Sequence, residues 1–197
     1  AGGIALSSIP VSSDPTVVAK NVYAAPVGGK QLYRCGTITA AQTTFTIAAV
    51  QHDAHPLQTQ FLGPPPAGDY IGYFKGWMLV AKDNRLYYSE PYAPELFDLR
   101  KSIPFLDRIT MVAPLNNKTD ACWIGTTNQI GLLSGESPDK WTYQTSADYG
   151  VIPGTPAFAD GELLGDGRAS GNTVAFFATT RGLCIGESDG SFRNLTA

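Results

Sequence analysis

Two histidines, a scatter of carboxylates and three cysteines are the side chains from which chemistry could be built. His52 and His55 flank Asp53 in Gln51-His52-Asp53-Ala54-His55-Pro56. The i, i+3 spacing with a carboxylate between them could hold a metal, but such a site needs three or four ligands, and no nearby cysteine or carboxylate pair completes one. A polar loop is the better reading. A Ser-His-Asp hydrolase would need a nucleophile elbow of the G-x-S-x-G type, which is absent. Asp69, Asp160, Glu162 and Asp166 are the candidates for the carboxylate pair of a glycoside hydrolase. Residues 160–167 read DGELLGDG, a turn composition with glycine after each aspartate, and the spacing of a calcium loop is not met. Turn chemistry is therefore preferred to a bound cation, and a bound cation to catalysis. Cys35, Cys122 and Cys184 are far apart and odd in number, with no CxxC pair. They read as reduced core thiols on strands rather than zinc ligands. No catalytic residue, metal or cofactor is expected, and the chain reads as a non-enzyme.

The elements that would position any site are strands. Gly (21) and Pro (14) are spread along the chain and punctuate it with turns. Between them lie short runs of β-branched and aromatic residues, the pattern of an all-β fold with many short strands. One helical turn is expected around Pro94-Glu95-Leu96-Phe97, and nothing longer. Pro64-Pro65-Pro66 is a stiff extended spacer, which divides the chain into residues 1–62, a spacer at 63–68 and residues 69–197. In the first part, Ile4-Ala5-Leu6, residues 16–19, Asn21-Val22-Tyr23, residues 31–35 and residues 43–47 read as strands, with Gly28-Gly29 as a hairpin turn. That number of strands suits a sandwich-like segment of the fibronectin type III kind.

The second part repeats. Residues 77–90 read WMLVAKDNRLYYSE, residues 122–136 CWIGTTNQIGLLSGE and residues 174–187 VAFFATTRGLCIGE. Each is an apolar run, a short polar turn and a second apolar run that ends on Glu90, Glu136 or Glu187, 46 and then 51 residues apart. A period of this length with paired strands is the mark of β-propeller blades, so about three blades are expected, each built on one hairpin. Propellers usually close with four to eight blades. An open set exposes sheet edges, which pair with other chains.

Charge narrows the function. The chain carries 14 basic and 17 acidic residues, a net charge of −3, and no basic run. Phosphate contacts need clustered Lys or Arg, so specific nucleic-acid binding has little support. Charged residues make up 16% of the chain against roughly 25% in a typical soluble domain, which favours a surface partly covered by partners. No apolar run reaches the roughly 18 residues that a membrane helix requires.

Two stretches carry a resemblance. Gly29-Lys30-Gln31-Leu32-Tyr33-Arg34 is similar to a "GG…(I/L)YR" strand that precedes a Pro-rich spacer in tailed-bacteriophage structural proteins. Asn84-Arg85-Leu86-Tyr87-Tyr88-Ser89-Glu90-Pro91-Tyr92-Ala93-Pro94 resembles their "N-x-(V/L)-x-(F/Y)-SEP-x-x-P" signature. The order of segments is also that of the family, which includes tail nozzle, tail-hub and DNA-stabilisation proteins. The resemblance implies a virion protein, assembled in the host cytoplasm, that forms a ring of copies at the head-to-tail connector or tail. Its partners would be those copies and other tail or connector proteins, with DNA passing through the channel unbound. Tyr87, Tyr88, Pro91, Tyr92, Pro94 and Phe97 form a dense aromatic and proline patch. It reads either as packing between blades or as an interface anchor, because tyrosine can bury its ring and still hydrogen-bond at a wet rim. Pro91 and Pro94 are expected to end the strand, and Trp77, Trp123 and Trp141 to lie in blade cores.

Two rival functions have residues behind them. Ser137-Pro138-Asp139-Lys140-Trp141-Thr142 and Ser188-Asp189-Gly190-Ser191-Phe192 faintly resemble the aspartate box of propeller sialidases. The preferred reading is structural, with Asp capping a turn and the aromatic packing between sheets, since no arginine cluster accompanies them. A carbohydrate-binding tail-tip module is the other rival, resting on Trp141 beside Asp139.

Overall fold

In the computed structural model residues 3–50, 55–117, 120–164 and 171–196 are described. His52, Asp53 and Asp166, three of the residues weighed for metal or carboxylate chemistry, lie outside them. The described residues are all-β, with several small antiparallel sheets and two short 3₁₀ turns at Pro138–Lys140 and Gly161–Leu164. They form two compact units, Ala1–Phe61 and Leu62–Ala197.

The first unit has four strands: β1 (Ile4–Leu6), β2 (Ala19–Ala24), β3 (Tyr33–Thr39) and β4 (Phe45–Ile47). They pair as two separate two-stranded sheets, β1 with β4 and β2 with β3. Residues 16–19 were expected to be a strand, but the chain turns at Pro15–Thr16 and β2 begins only at Ala19. The Asp14 carboxylate accepts both the backbone N–H and the hydroxyl of Thr16 (2.9 and 2.7 Å), and this local bonding competes with a ladder. Gly28, at φ +75°, supplies the left-handed position of the β2–β3 turn. Val22, Ile38 and Ile47 are the buried centre of the unit, with Leu6, Cys35 and Phe45 packed around them.

The second unit contains three four-stranded sheets, each a meander of consecutive strands. The first holds β5 (Tyr70–Phe74), β6 (Trp77–Lys82), β7 (Arg85–Glu90) and β8 (Ala93–Pro104). The second holds β9 (Ile109–Leu115), β10 (Ala121–Thr126), β11 (Ile130–Ser134) and β12 (Thr142–Ala147). The third holds β13 (Ala157–Asp160), β14 (Thr173–Thr179), β15 (Gly182–Gly186) and β16 (Phe192–Asn194). The three recurring hairpins of the sequence are the middle pairs β6–β7, β10–β11 and β14–β15, and none of the sheets closes on itself. The repeat is chemical as well as topological. Glu90 pairs with Lys101 (3.4 Å), Glu136 with Lys140 (3.0 Å) and Glu187 with Arg193 (3.1 Å). At the second and third hairpin turns Thr126 and Thr179 act alike: each hydroxyl donates to the carbonyl three residues on (3.2 and 2.8 Å).

The helical turn expected at residues 94–97 is not there, because that stretch is the start of β8. Phe97 exchanges two backbone hydrogen bonds with Gly63, both 2.8 Å, and stands opposite Ser89 in the ladder. A paired backbone with a buried ring outweighs the weak local preference of one helical turn.

The second sheet packs against a neighbour on each face, although its edge strand β12 is largely exposed. Cys122 and Ile124 of β10 join Phe74, Leu79 and Leu86 of the first sheet in one core. The intervening Trp123 joins Phe177 and Cys184 of the third sheet in another. All six residues of β10 are accordingly buried, which is why β9 and β10 read as continuous apolar runs rather than alternations. On β9, Ile109 and Val112 face the first core and Met111, Ala113 and Leu115 the second. The parity changes at Thr110, where the register slips opposite Gly125–Thr126, the signature of a bulge.

Trp123 is fully buried, its Nε1 donating to the Glu187 carbonyl at 3.1 Å. Its ring lies so close to Gly186 that a Cβ there would come within 2.5 Å of it. Gly186→Ala should therefore cost about 2 kcal/mol by overpacking. Gly63→Ala, where a Cβ would meet nothing within 4 Å, should leave stability nearly unchanged. Urea midpoints of the two variants test this; equal midpoints would show that the tryptophan does not key the two sheets.

Candidate functional site

The six residues singled out from the SEP segment occupy the β7–β8 hairpin and divide between interior and surface. Phe97 is fully buried. The ring of Tyr88 meets that of Trp141 edge-on at 5.8 Å, and burial pushes its phenol above the ordinary value. Tyr87 is half-buried, whereas Pro91, Tyr92 and Pro94 are exposed. Pro94 does not end a strand, since it lies inside β8, and Pro91 opens the two-residue turn between Glu90 and Ala93. Ser89 is buried and ties the hairpin inward: its hydroxyl accepts the Met78 N–H at 3.0 Å and donates to the Glu90 carbonyl at 2.8 Å.

Trp141 is occupied by packing. Its ring contacts Phe74 and Trp77, both at 5.7 Å, besides Tyr88, so its faces are spent on neighbours. In the third sheet Asp189 accepts the Ser191 N–H at 2.8 Å, and Phe192 packs on Trp123 and Phe177. The remaining carboxylate candidates are dispersed. Asp160 accepts the Glu162 N–H at 3.0 Å in a turn, and Asp69 pairs with Arg108 at 3.0 Å on the surface. Among the described residues no group of His, Cys, Asp and Glu is arranged to hold a metal. His55 is exposed, and its carbonyl accepts the Arg34 N–H at 3.0 Å. Burial drives the Cys122 thiol far above its ordinary range, so it is an inert core group rather than a nucleophile.

Two adjoining clefts gather exposed side chains. The first, about 420 Å³, lies where the leading strands of the three sheets meet. Ile71 and Tyr73 of β5, Val112 and Pro114 of β9 and Phe158 of β13 line it. Ile71 is 66% exposed and Phe158 50%, high values for large apolar side chains. Asn116 and Asn117 hold this end together. Asn116 donates to the Tyr73 carbonyl (3.0 Å), while Asn117 both donates to the Thr173 carbonyl (2.7 Å) and accepts its N–H (2.9 Å), as a paired strand would.

The second cleft, about 620 Å³, shares Tyr73 and Asn116 with the first. It adds Lys75, Trp77 and Tyr92, with Asp120 and Glu136. Lys75 and Tyr92 both have left-handed backbones (φ +50° and +56°). Such conformations cost on the order of 1 kcal/mol or more for a non-glycine residue. Lys75 recovers part of this, because its Nζ donates to the Gly135 carbonyl at 3.0 Å and lies 3.8 Å from Asp120. Tyr92 is 81% exposed. Its N–H donates to the Gly76 carbonyl at 2.7 Å, and its ring edge rests over Gly76, where a Cβ would come within 3.0 Å.

Lys75-Gly76 and Asn116-Asn117 are not among the residues that the sequence singles out. A signal existed for the first: a residue followed by glycine between Tyr73-Phe74 and Trp77-Met78 is a two-residue hairpin signature. No local signal marks the asparagines, whose partners are 43 and 56 residues away.

No protein-family model matches the chain, and no curated protein matches it in sequence. Among the described residues no helix is long and apolar enough to cross a membrane.

One titration follows from the hairpin. β8 carries surplus residues opposite Tyr88, and the buried Asp98 gathers them by accepting the Arg100 backbone N–H (3.1 Å) and its guanidinium (2.8 Å to each oxygen). These bonds lower the Asp98 carboxyl to about 2. Its contribution to stability is present above the unfolded value of about 3.9 and is lost as pH falls from there towards 2. Asp98→Asn should therefore be less stable than the parent at pH 6, with the difference shrinking by pH 2.5. A difference in urea midpoint independent of pH would contradict this.

Proposed function

We propose that the chain is a structural subunit of a tailed-phage virion that assembles with copies of itself into a ring at the head-to-tail connector or tail. The observation that carries the assembly reading is the meeting of β5, β9 and β13 around a cleft whose walls are apolar and exposed. Three consecutive four-stranded meanders support this reading, since propeller blades are sheets of that kind and the leading strand of a blade lines the propeller axis. Three blades turn through only part of a circle. An arrangement left open in this way leaves leading strands uncovered, and uncovered strands with apolar side chains pair or pack with another chain.

The first unit supports the same reading. Among the described residues its two small sheets share a centre of three buried side chains, which is sparse for a segment of about sixty residues. A sandwich of the fibronectin type III kind would result if further strands were added from neighbouring subunits. The phage assignment itself rests on the "GG…YR" and SEP stretches. In the SEP stretch the buried Ser89 and Phe97 and the left-handed Tyr92 give the motif a structural job, that of folding a tight hairpin on the flank of a blade.

Such a subunit should behave as a symmetric oligomer. Native mass spectrometry of purified protein or of disassembled particles should show one fixed multiple of the 21.0 kDa chain. Ile71→Asp and Phe158→Asp, on exposed positions, should abolish the oligomer while leaving the melting temperature of the monomer within a few degrees. A monomer at all concentrations, absent from particles, would overturn the proposal.

A further inference from the structure

We propose that the cleft between the Lys75-Gly76 turn and the Pro91-Tyr92 turn is a carbohydrate-binding site that stacks a pyranose ring on Tyr92 and Trp77 and holds its hydroxyls with Asp120, Glu136 and Asn116. This site is independent of the assembly reading and differs from the Trp141–Asp139 pair that the sequence offers, because Trp141 is packed among three aromatic rings.

Tyr92 carries the argument. Glycine would adopt its left-handed backbone without strain, and the N–H bond to Gly76 would survive the loss of the side chain. Its ring is largely exposed, so the fold gains little from a tyrosine there. Strain kept in place of glycine, offset only by the edge of the ring over Gly76, points to a use outside the fold. The same cleft holds the second strained residue, Lys75, and the partly buried Trp77.

The lining selects the ligand class. Aromatic rings beside carboxylates and an amide suit a molecule with apolar faces and a rim of hydroxyl donors, which describes a pyranose. An anionic ligand fits poorly: the lysine already faces Asp120 at 3.8 Å, and two carboxylates line the walls. A bare cation fits poorly too, because Glu136 is paired with Lys140 and no ligating group of three exists among the described residues. The site is therefore expected to prefer neutral oligosaccharides over sialylated or phosphorylated ones.

The test uses the full chain on a printed array of neutral and acidic surface oligosaccharides, followed by titration of the strongest binder monitored by tryptophan fluorescence. The expected result is a neutral hit whose affinity falls at least tenfold in Tyr92→Gly, in Tyr92→Ala and in Asp120→Asn. Tyr92→Gly should melt at or above the parent temperature, so its loss of binding cannot be a loss of folding, and Tyr92→Ala removes the ring while keeping the strain. An array with no binder above an unrelated β-protein, a preference for acidic glycans, or a hit whose affinity survives the Tyr92 variants would overturn the proposal.

Discussion

The second unit depends on the burial of both faces of one sheet. β10 presents Cys122 and Ile124 to the first sheet and Trp123 to the third, so every side chain along it is enclosed. Trp123 is the largest fully buried side chain. It meets the glycine of β15 that leaves room for its ring, and its one polar atom is satisfied by the carbonyl of Glu187. An indole without that acceptor would be a buried unpaired donor, and a side chain at Gly186 would wedge the sheets apart. The bulge at Thr110 lets one strand, β9, serve both cores by shifting its side-chain parity midway.

Among the described residues nothing does for the leading edge of the unit what this sheet does for its middle. The first and third sheets each pack one face on the second, and β5, β9 and β13 are left around a cleft with Ile71, Tyr73 and Phe158 in solvent. Asn116 and Asn117 cap some of the backbone there with side-chain amides, which keeps the edge ordered without covering its apolar groups. This uncovered apolar edge is the surface that the proposed assembly would use. The assembly and carbohydrate proposals use different parts of one surface: the first the apolar strands, the second the polar cleft beyond Tyr73.

Much of the architecture is legible in the sequence, and the reasons for the rest are physical. The three hairpins announce themselves because each places a polar turn between apolar runs, and the glutamates that close them recur because each finds a basic partner nearby. The flanking strands are harder to see. β9 is buried on both faces and has no alternation; β13 is four residues of mostly small side chains; β5 is interrupted by Gly72, which makes room for Pro114. Residues 94–97 read as a helical turn because their pairing partner, Gly63, is distant in the chain. The SEP segment is recognisable as an aromatic patch, but the register of β8 takes Phe97 inside, while Tyr92 stays outside on a left-handed backbone. No residue-type rule predicts that conformation for a tyrosine. The cleft residues Lys75, Asn116, Asp120 and Glu136 come together only through the folding of the first sheet on the second.

The central claim is that the leading strands form a surface which other copies of the chain cover. Hydrogen exchange read at residue level, on dilute protein and again at high concentration, tests it most directly. The account predicts that amides in β5 and β13 exchange quickly when dilute and slow by at least tenfold when concentrated, while those of β10 are protected throughout. Exchange in β5 and β13 that is already slow in the dilute monomer, and indifferent to concentration, would show that the edge is complete in itself.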